Sequence, residues 1–272
     1  MNKKTKLILL SSIGMFLLTS LIILLIINSN IARGDIMLIH DEEYEVAEIE
    51  TIEIRSVSSD INIINTDEER IRVVIYDVEN KRIEITDRNG RLVIRNQHRT
   101  FCFIFCINTS HRNSRINVYM PKEYQGNIII NTVSGDVEIE EYQNSNMNIR
   151  TVSGNVRVSS ASDVNINTVS GRTNISTVSN VEFRSVSGNL TVENILEGLR
   201  INSTSGNINV TNAEISSDST IRTVSGYVKL SNLEDVRVVT NTVSGRISIF
   251  ENSRDATTEL SINTTSGNIN VN

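Results

Sequence analysis

The sequence predicts an all-β protein in which about nine two-strand rungs stack as a parallel β-helix, preceded by one N-terminal transmembrane helix. Three observations support this fold class: a short repeat that fills most of the 272 residues, a composition rich in Ile and Val, and one long uncharged segment near the start. β-Branched residues suit pleated strands, and the chain has a single proline and no tryptophan. Because short regular repeats indicate stacked architectures, the repeat decides the fold class.

The N-terminal element is an uncharged stretch at residues 7–27 that follows Lys3, Lys4 and Lys6. About 20 apolar residues cross a bilayer core of about 30 Å as a helix. The residues that follow, 27–33, match the small-x-small pattern of a cleavage site poorly. We therefore predict a signal anchor at 7–27, with a cleaved signal peptide as the alternative.

Charge sets the orientation of the chain and excludes one class of partner. The positive-inside rule places residues 1–6 in the cytoplasm and the rest of the chain outside, with residues 28–48 as a linker. Beyond Arg33 the chain carries all 32 acidic residues and 22 of the 26 basic ones, a net charge of −10. Because nucleic-acid binding needs a basic surface, we predict no nucleic-acid partner.

The repeat consists of an alternating apolar run, Thr or Ser, Val or Thr, Ser-Gly, and a second alternating run. Its Ser-Gly steps lie 17 to 22 residues apart, and Ser56-Val57-Ser58-Ser59 is a degenerate first copy without the glycine. The eight complete copies end in Ser134-Gly135, Ser153-Gly154, Ser170-Gly171, Ser187-Gly188, Ser205-Gly206, Ser225-Gly226, Ser244-Gly245 and Ser266-Gly267.

With the serine of each copy numbered zero, apolar residues recur at positions −6, −4, −1, +3 and +5, and position −2 is always Thr or Ser. Side chains alternate between the two faces of a strand, so the apolar set changes parity between −2 and −1. We therefore expect two strands that face inward around a bent corner, with the valine at −1 inside. The glycine then occupies either an inward slot without room for a side chain or a position with positive φ.

One rung is two strands joined by such a corner, and no rung could bury its inner face alone. Nine rungs at about 4.8 Å give a rod of about 40 Å. An antiparallel sandwich is the alternative fold. Near-identical corners favour the β-helix, because a solenoid stacks equivalent residues on one another.

The two ends of the repeat array differ from its middle. Residues 49–125 are predicted to cap or begin the solenoid, with a hairpin at Asn89-Gly90, and residues 126–272 are the regular repeats. The sequence stops at Asn272 within a predicted strand, which leaves an unpaired edge. We expect this C-terminal edge to pair with another molecule, in particular a second copy of the chain.

One segment stands apart chemically, because it contains both cysteines, Cys102 and Cys106, together with His98 and His111. Three interpretations are open: a strand that packs its Phe side chains on the solenoid, a Cys102–Cys106 disulfide, and a metal site. Cysteines four residues apart in a straight strand lie about 13 Å apart, so a disulfide requires a turn between them. The spacing of the four side chains matches no standard zinc site.

Sequence motifs for catalysis are absent: there is no Gly-x-Ser-x-Gly elbow, phosphate loop, His-Glu-x-x-His or dinucleotide fingerprint. We therefore predict no catalytic residue, no cofactor, no metal and no enzymatic activity. A β-helix polysaccharide-active enzyme is the alternative, which an outward carboxylate cluster would favour. Position −3 is outward and polar, as expected of a solvated or a carbohydrate-binding face. It carries Asn131, Asn167, Asn202, Asn241 and Asn263, and Arg55, Arg150, Arg184 and Arg222.

The segment Ile116-Asn117-Val118-Tyr119-Met120-Pro121-Lys122, together with the repeat that begins at Thr132, resembles a bacterial family. It is similar to the β-strand-repeat envelope proteins of unknown function catalogued as putative adhesins, over residues 49–272. The resemblance implies a non-enzymatic binding or structural module on the outside of the cell membrane, held by a single span and linked to envelope stress. The resemblance provides no active site. For a module of this kind we expect cell-wall polymer or a neighbouring envelope protein as partner.

Overall fold

The computed structural model describes residues 36–78, 82–97, 114–250 and 256–272. The anchor predicted at 7–27 and the pair Cys102 and Cys106 lie outside these residues, so the span and the disulfide stay predictions. In the described part of the chain no helix is long and apolar enough to cross a bilayer.

Twenty strands form one continuous hydrogen-bonded sheet. The strands of the N-terminal part are β1 (Ile36–Glu45), β2 (Thr51–Ser56), β3 (Asp60–Thr66), β4 (Arg70–Val78), β5 (Arg82–Arg88), β6 (Arg91–Gln97) and β7 (Arg115–Pro121), with a 3-10 turn at Val46–Glu48. The repeats supply β8 (Asn127–Asn131), β9 (Val137–Thr151), β10 (Val156–Thr168), β11 (Arg172–Ser185), β12 (Asn189–Ser205), β13 (Ile208–Glu214), β14 (Ser219–Ser225), β15 (Val228–Leu230), β16 (Leu233–Glu234), β17 (Val236–Thr242), β18 (Ile247–Ile249), β19 (Thr258–Thr264) and β20 (Ile269–Val271).

Each rung has one strand before its corner and one after it, and we call the two resulting stacks the front sheet and the back sheet. Strands β9 to β12 are long because each runs from the back sheet of one rung to the front sheet of the next. Successive rungs pair in parallel and in register, so equivalent residues stack on one another. The all-β solenoid predicted from the repeat is confirmed, and this parallel register excludes the antiparallel sandwich.

At the C-terminal end the order of the rungs differs from the order of the sequence. The last repeat, β19 and β20, pairs on one side with β14 and β15 and on the other side with β17 and β18. The expectation that the chain ends in an unpaired strand is therefore corrected, because β20 lies between two neighbours. Within the described residues, the strands that pair with a single other strand at this end are β17 and β18, together with the two-residue strand β16.

The N-terminal end is also built by insertion. β6 and β7 pair with β2 and β3, so they form a rung that stacks ahead of the Ser58-Ser59 copy. Antiparallel pairing of β5 with β6, and of β4 with β7 and β1, then ends the regular stack. β1 thereby takes up residues 36–45, part of the segment predicted as a linker.

The core consists of the positions predicted to face inward. In the Ser153 copy these are Met147, Ile149, Val156 and Val158, each at most 2% exposed. Equivalent side chains stack on every rung into one continuous cluster. Burying one such side chain contributes about 1.5–3 kcal/mol, and stacking provides the burial that an isolated repeat lacks.

The corner differs from the prediction, because the valine at −1 faces solvent. Val133, Val152 and Val186 are 44%, 45% and 51% exposed. The parity changes one residue later than predicted, so the valine and the serine both point outward. The hydroxyl residue at −2 and the glycine at +1 point inward.

Hydrogen bonding of the corner explains this arrangement. The Thr151 hydroxyl accepts a hydrogen bond from the Gly154 N–H at 3.0 Å, and the Thr168 hydroxyl donates to the Ser170 carbonyl at 2.7 Å. An inward hydroxyl therefore satisfies backbone groups where the strand ladder is interrupted. This requirement accounts for Thr or Ser at −2 in every copy.

Glycine is needed at the corner because successive corners touch. A Cβ atom on Gly154 would lie 2.0 Å from the carbonyl oxygen of Gly135, and one on Gly245 would lie 1.9 Å from that of Gly267. Close approach is therefore the general reason for the glycine, and a positive φ adds to it at Gly171, where φ is 116°.

The back sheet adds a ladder of side-chain bonds just after each corner. The Asp136 carboxylate accepts from the Asn155 backbone N–H at 2.8 Å, and the Asn155 amide oxygen accepts from the Arg172 N–H at 3.1 Å. On a later rung the Asn189 amide oxygen likewise accepts from the Asn207 backbone N–H at 2.8 Å. The polar residues at +2 are thus used to join one rung to the next.

Candidate binding face

The outward positions −5, −3 and −1 of the front sheet form a surface that we call the front face. An open groove of about 750 Å³ follows positions −3 to −1 over six successive rungs, from Arg150 to Asn263. Because the rungs are in register, each position forms a straight column of side chains along the rod. The front face therefore presents a repeated pattern rather than one compact pocket.

Between Arg55 and Asn263, position −3 alternates between arginine and asparagine in the order in which the rungs stack. The column reads Arg55, Asn131, Arg150, Asn167, Arg184, Asn202, Arg222, Asn263 and Asn241, and Arg95 of β6 lies in register ahead of Arg55. At the reordered end Arg222 lies beside Asn263 rather than beside Asn241, and the alternation stops there because Asn263 and Asn241 are themselves neighbours. Arginines on alternate rungs are about 9.6 Å apart.

These arginines differ in their ion pairing. Arg184 is paired with Glu182, and Arg55 with Glu53. Arg150 and Arg222 are exposed and form no ion pair within the described residues. The column therefore carries two unneutralised cations, and Arg184 lies midway between them.

An apolar column runs beside the arginines at position −1. Its valines are between 42% and 51% exposed, except for Val243 at the end of the stack, which is 81% exposed. The members in stacking order are Val57, Val133, Val152, Val169, Val186, Thr204, Val224, Thr265 and Val243. A row of branched apolar side chains exposed to solvent is a candidate contact surface.

A second groove follows the start of the same strands and is lined mainly by amides and charged groups. Its volume is about 530 Å³. Asn165 donates to the Glu182 carboxylate at 2.8 Å, and Asn180 donates to Glu197 at 2.7 Å. Polar side chains thus border the arginine column on the side away from the valines.

The end of the stack has a separate exposed apolar cluster. Phe250 is 76% exposed and lies next to β18, whose strand pairs on one side only within the described residues. Self-association through the C-terminal end, predicted from the sequence, would therefore use β17 and β18 instead of the last residues of the chain. It stays a prediction.

Chemical groups for catalysis are not brought together in the described part of the chain. No three His, Cys, Asp or Glu side chains there are placed to hold a metal ion. Hydrogen bonds from Arg72 and Lys122 lower the pKa of Asp41 and of Asp67, whereas the general acid of a glycosidase needs a raised pKa. Burial raises the pKa of Tyr44 to about 12, which keeps its phenol protonated.

A buried polar cluster at the first corner explains the missing glycine of the degenerate repeat. Ser59, Asp77, Asn96 and Ser114 are each at most 2% exposed. The Ser59 hydroxyl accepts from the Asn96 amide at 2.9 Å and lies 2.8 Å from the Ser114 hydroxyl. Asn96 and Ser114 also donate to the Asp77 carboxylate, at 2.7 and 2.8 Å. A serine fits at position 59 because polar partners, and not a neighbouring corner, surround its side chain.

Comparison with known proteins places this architecture in a family. The family model Toastrack DUF4097 matches residues 49–272. The chain belongs to this family. A Toastrack domain thus covers the rungs and most of the N-terminal cap, and β1 precedes the matched residues.

Solved structures similar to this Toastrack chain come from several bacteria. A putative lipid binding protein from Parabacteroides distasonis is 17% identical with a TM-score of 0.58, and the match covers 87% of this chain and 97% of that one. A putative adhesin from Bacteroides fragilis is 14% identical with a TM-score of 0.46, covering 88% of this chain and 97% of that one. At such identity the first of these supports the fold alone. A comparison with curated proteins gave no match.

The sequence predicts the polar column at −3, but it does not predict the exposed valine column that runs beside it in the Toastrack fold. The residues at −3 were recognised as outward, and all lie on the front face. The exposed valine column was missed, because valine at −1 was placed inside. The inward hydroxyl at −2 was the available signal, since strand alternation then directs the next residue outward.

Proposed function

We propose that this chain is a membrane-anchored, extracytoplasmic module of the bacterial cell envelope that acts by binding or as a structural element, not as an enzyme. In this role it binds cell-wall polymer or a neighbouring envelope protein, as an adhesin does. The single observation that carries the proposal is the front face, with its exposed arginine–asparagine and valine columns over six rungs.

The membrane anchor rests on the sequence. Three lysines before an uncharged stretch at 7–27 favour a single span with the solenoid outside the cell. The net charge of −10 beyond Arg33 argues against attachment of the solenoid to anionic lipid. The anchor then presents the rod while its front face stays free for a partner.

Retention of the chain by fractions of the cell envelope tests the binding role. Full-length chain purified in detergent is incubated with cell-wall fragments and, separately, with membrane extract. We expect retention by at least one fraction, and loss of that retention after heat unfolding, because the columns exist only in the stacked fold. Retention by neither fraction would contradict the proposal.

The anchor is tested on whole cells. Alkaline extraction is expected to leave the chain in the membrane pellet, and added protease is expected to digest the solenoid in cells whose cell wall has been removed. A deletion of residues 7–27 serves as the matched control and should appear in the soluble fraction. Release of the intact chain by alkali would contradict the anchor.

A further inference from the structure

We propose that the front face binds a linear glycan that carries one carboxylate on each disaccharide. This inference rests on the proposed binding function and names its ligand class. It follows from three properties of the same surface: the spacing of its arginines, their state of pairing, and the apolar column beside them.

The spacing argument starts from the register of the rungs. Arg150, Arg184 and Arg222 occupy every second rung of the groove. Alternate rungs are about 9.6 Å apart, close to the length of one disaccharide in an extended β-linked glycan. A glycan lying along the rod would therefore bring successive carboxylates to successive arginines, with about 19 Å between the outer two.

The charges on the face fit an anionic ligand. Arg150 and Arg222 have exposed guanidinium groups and no ion pair within the described residues. Arg184 bonds Glu182 through one terminal nitrogen, which leaves further N–H donors of its planar group for a second acceptor. Guanidinium binds carboxylate through two parallel hydrogen bonds, which fixes orientation as well as charge.

The neighbouring columns fit the other parts of a sugar chain. The valines at −1 offer aliphatic contact to the C–H faces of the rings, and Val152 and Val186 are 45% and 51% exposed beside the arginines. Asn167 and Asn202 lie between the arginines on the intervening rungs. Their amides can donate to and accept from hydroxyl groups.

Repulsion between like charges provides part of the reason for the alternation, but not all of it. Like charges on directly neighbouring strands destabilise a sheet, and where two arginines do lie on adjacent rungs, at Arg55 and Arg95, each has its own carboxylate partner. That effect does not explain why Arg150 and Arg222 are present without partners. An anionic ligand with the same period supplies the missing partners.

Nucleic acid fits this surface less well. One strand of a duplex carries a charge about every 3.4 Å, so nearly three charges would face each arginine. The net charge of −10 beyond Arg33 also repels densely charged polymers. This long-range repulsion is screened beyond about 8 Å at physiological salt, which leaves contacts inside the groove effective.

Binding of defined oligosaccharides tests the inference. Full-length chain in detergent is titrated by calorimetry, at about 0.15 M salt, with hyaluronan fragments of three disaccharides, which carry one carboxylate per disaccharide. Chitin oligosaccharide of equal length provides the uncharged comparison, polygalacturonate a carboxylate on every sugar, and single-stranded DNA a denser polyanion. We expect hyaluronan to bind more tightly than each of the other three.

The matched variants have equal charge and different positions. Arg150→Gln/Arg222→Gln is expected to weaken hyaluronan binding about tenfold or more, since two charge-assisted contacts are lost. Arg157→Gln/Arg172→Gln removes two exposed arginines from the back sheet and should leave affinity unchanged. Circular dichroism and thermal unfolding verify that both variants retain the fold.

Three results would overturn the inference: no hyaluronan binding, equal binding of all polyanions, or equal loss in the two double variants. Its failure can be separated from failure of the proposed function. If cell-wall fragments or membrane extract retain Arg150→Gln/Arg222→Gln as well as the unmodified chain, the binding role stands and the ligand site lies elsewhere. If neither fraction retains the unmodified chain, the proposed function itself fails.

Discussion

Arg222 and Asn263 are in-register neighbours in the front sheet, although the whole Gly245 repeat lies between them in the sequence. Their pairing places the last repeat of the chain inside the stack and the Gly245 repeat at its end. The identity of the residue beside Arg222 therefore depends on a long-range folding event, although it is an asparagine in either stacking order. A stack in sequence order would place Asn241 beside Arg222 instead.

Replacement of a corner glycine tests the contact between successive rungs. We expect Gly154→Ala to destabilise the fold by about 1–3 kcal/mol or more, because its Cβ would lie 2.0 Å from a backbone oxygen. Gly188→Ala is the matched control, since its Cβ would lie 3.1 Å, and not 2.0 Å, from the carbonyl oxygen of the neighbouring corner glycine, Gly171. Urea unfolding of both variants measures the difference, and equal losses would contradict close approach as the cause.

Substitution of valine by threonine distinguishes the two sides of the corner. Val152→Thr should leave stability nearly unchanged, because its side chain is 45% exposed. Val156→Thr, at a position that is 1% exposed, should cost about 1–3 kcal/mol because it buries a hydroxyl. The midpoints of urea unfolding measure both effects. A larger loss of stability for Val152→Thr than for Val156→Thr would contradict the outward position of Val152.

Restoring the repeat pattern at the first corner should weaken the protein. Ser59→Gly is expected to lower the free energy of unfolding by about 1–3 kcal/mol, because Asn96 and Ser114 lose a buried hydroxyl partner. Ser134→Gly is the control, since its side chain is exposed at an equivalent corner. Thermal unfolding compares the two, and a stabilised Ser59→Gly variant would contradict the role given to the cluster.

Acidification should loosen the pairing of β1 with β4. The Asp41–Arg72 hydrogen bonds, both 2.7 Å long, lower the pKa of Asp41 below 3.8. A group with a lowered folded-state pKa stabilises the fold above its ordinary pKa, and this effect disappears as the pH falls through the lowered value. Hydrogen-exchange protection of β1, corrected for intrinsic rates, should therefore fall in acid. Asp41→Asn should show the lower protection at neutral pH already, whereas Asp163→Asn should not.

The inward positions of the strands could be predicted because alternation has a period of two and one face is buried. Met147, Ile149, Val156 and Val158 follow from that rule alone. The direction of Val152 could not be obtained from its apolar character, because valine suits a strand on either face. It follows instead from the bond between the Thr151 hydroxyl and the corner backbone.

The stacking order of the rungs could not be predicted from the sequence, for a different reason. The corners at Gly226, Gly245 and Gly267 have nearly the same residues, so local preference does not distinguish one neighbour from another. The order is set by the hydrogen-bonded pairing of strands that are far apart in the sequence, such as β14 with β19. The alternation from Arg55 to Arg222 is visible along the chain, but the neighbour of Arg222 is apparent only in the stack, where Asn263 and not Asn241 lies beside it.

The central claim is that the front face is a column of stacked, in-register rungs in which the last repeat is inserted beside Arg222, and cross-linking tests it most directly. In a Cys102→Ser/Cys106→Ser background, Arg222→Cys/Asn263→Cys places two cysteines on neighbouring rungs, about 4.8 Å apart and within disulfide range. Arg222→Cys/Asn241→Cys places them two rungs and about 9.6 Å apart. The account predicts rapid oxidation of the first pair and none of the second, by mass spectrometry of the folded chain. Oxidation of the second pair without the first would contradict it.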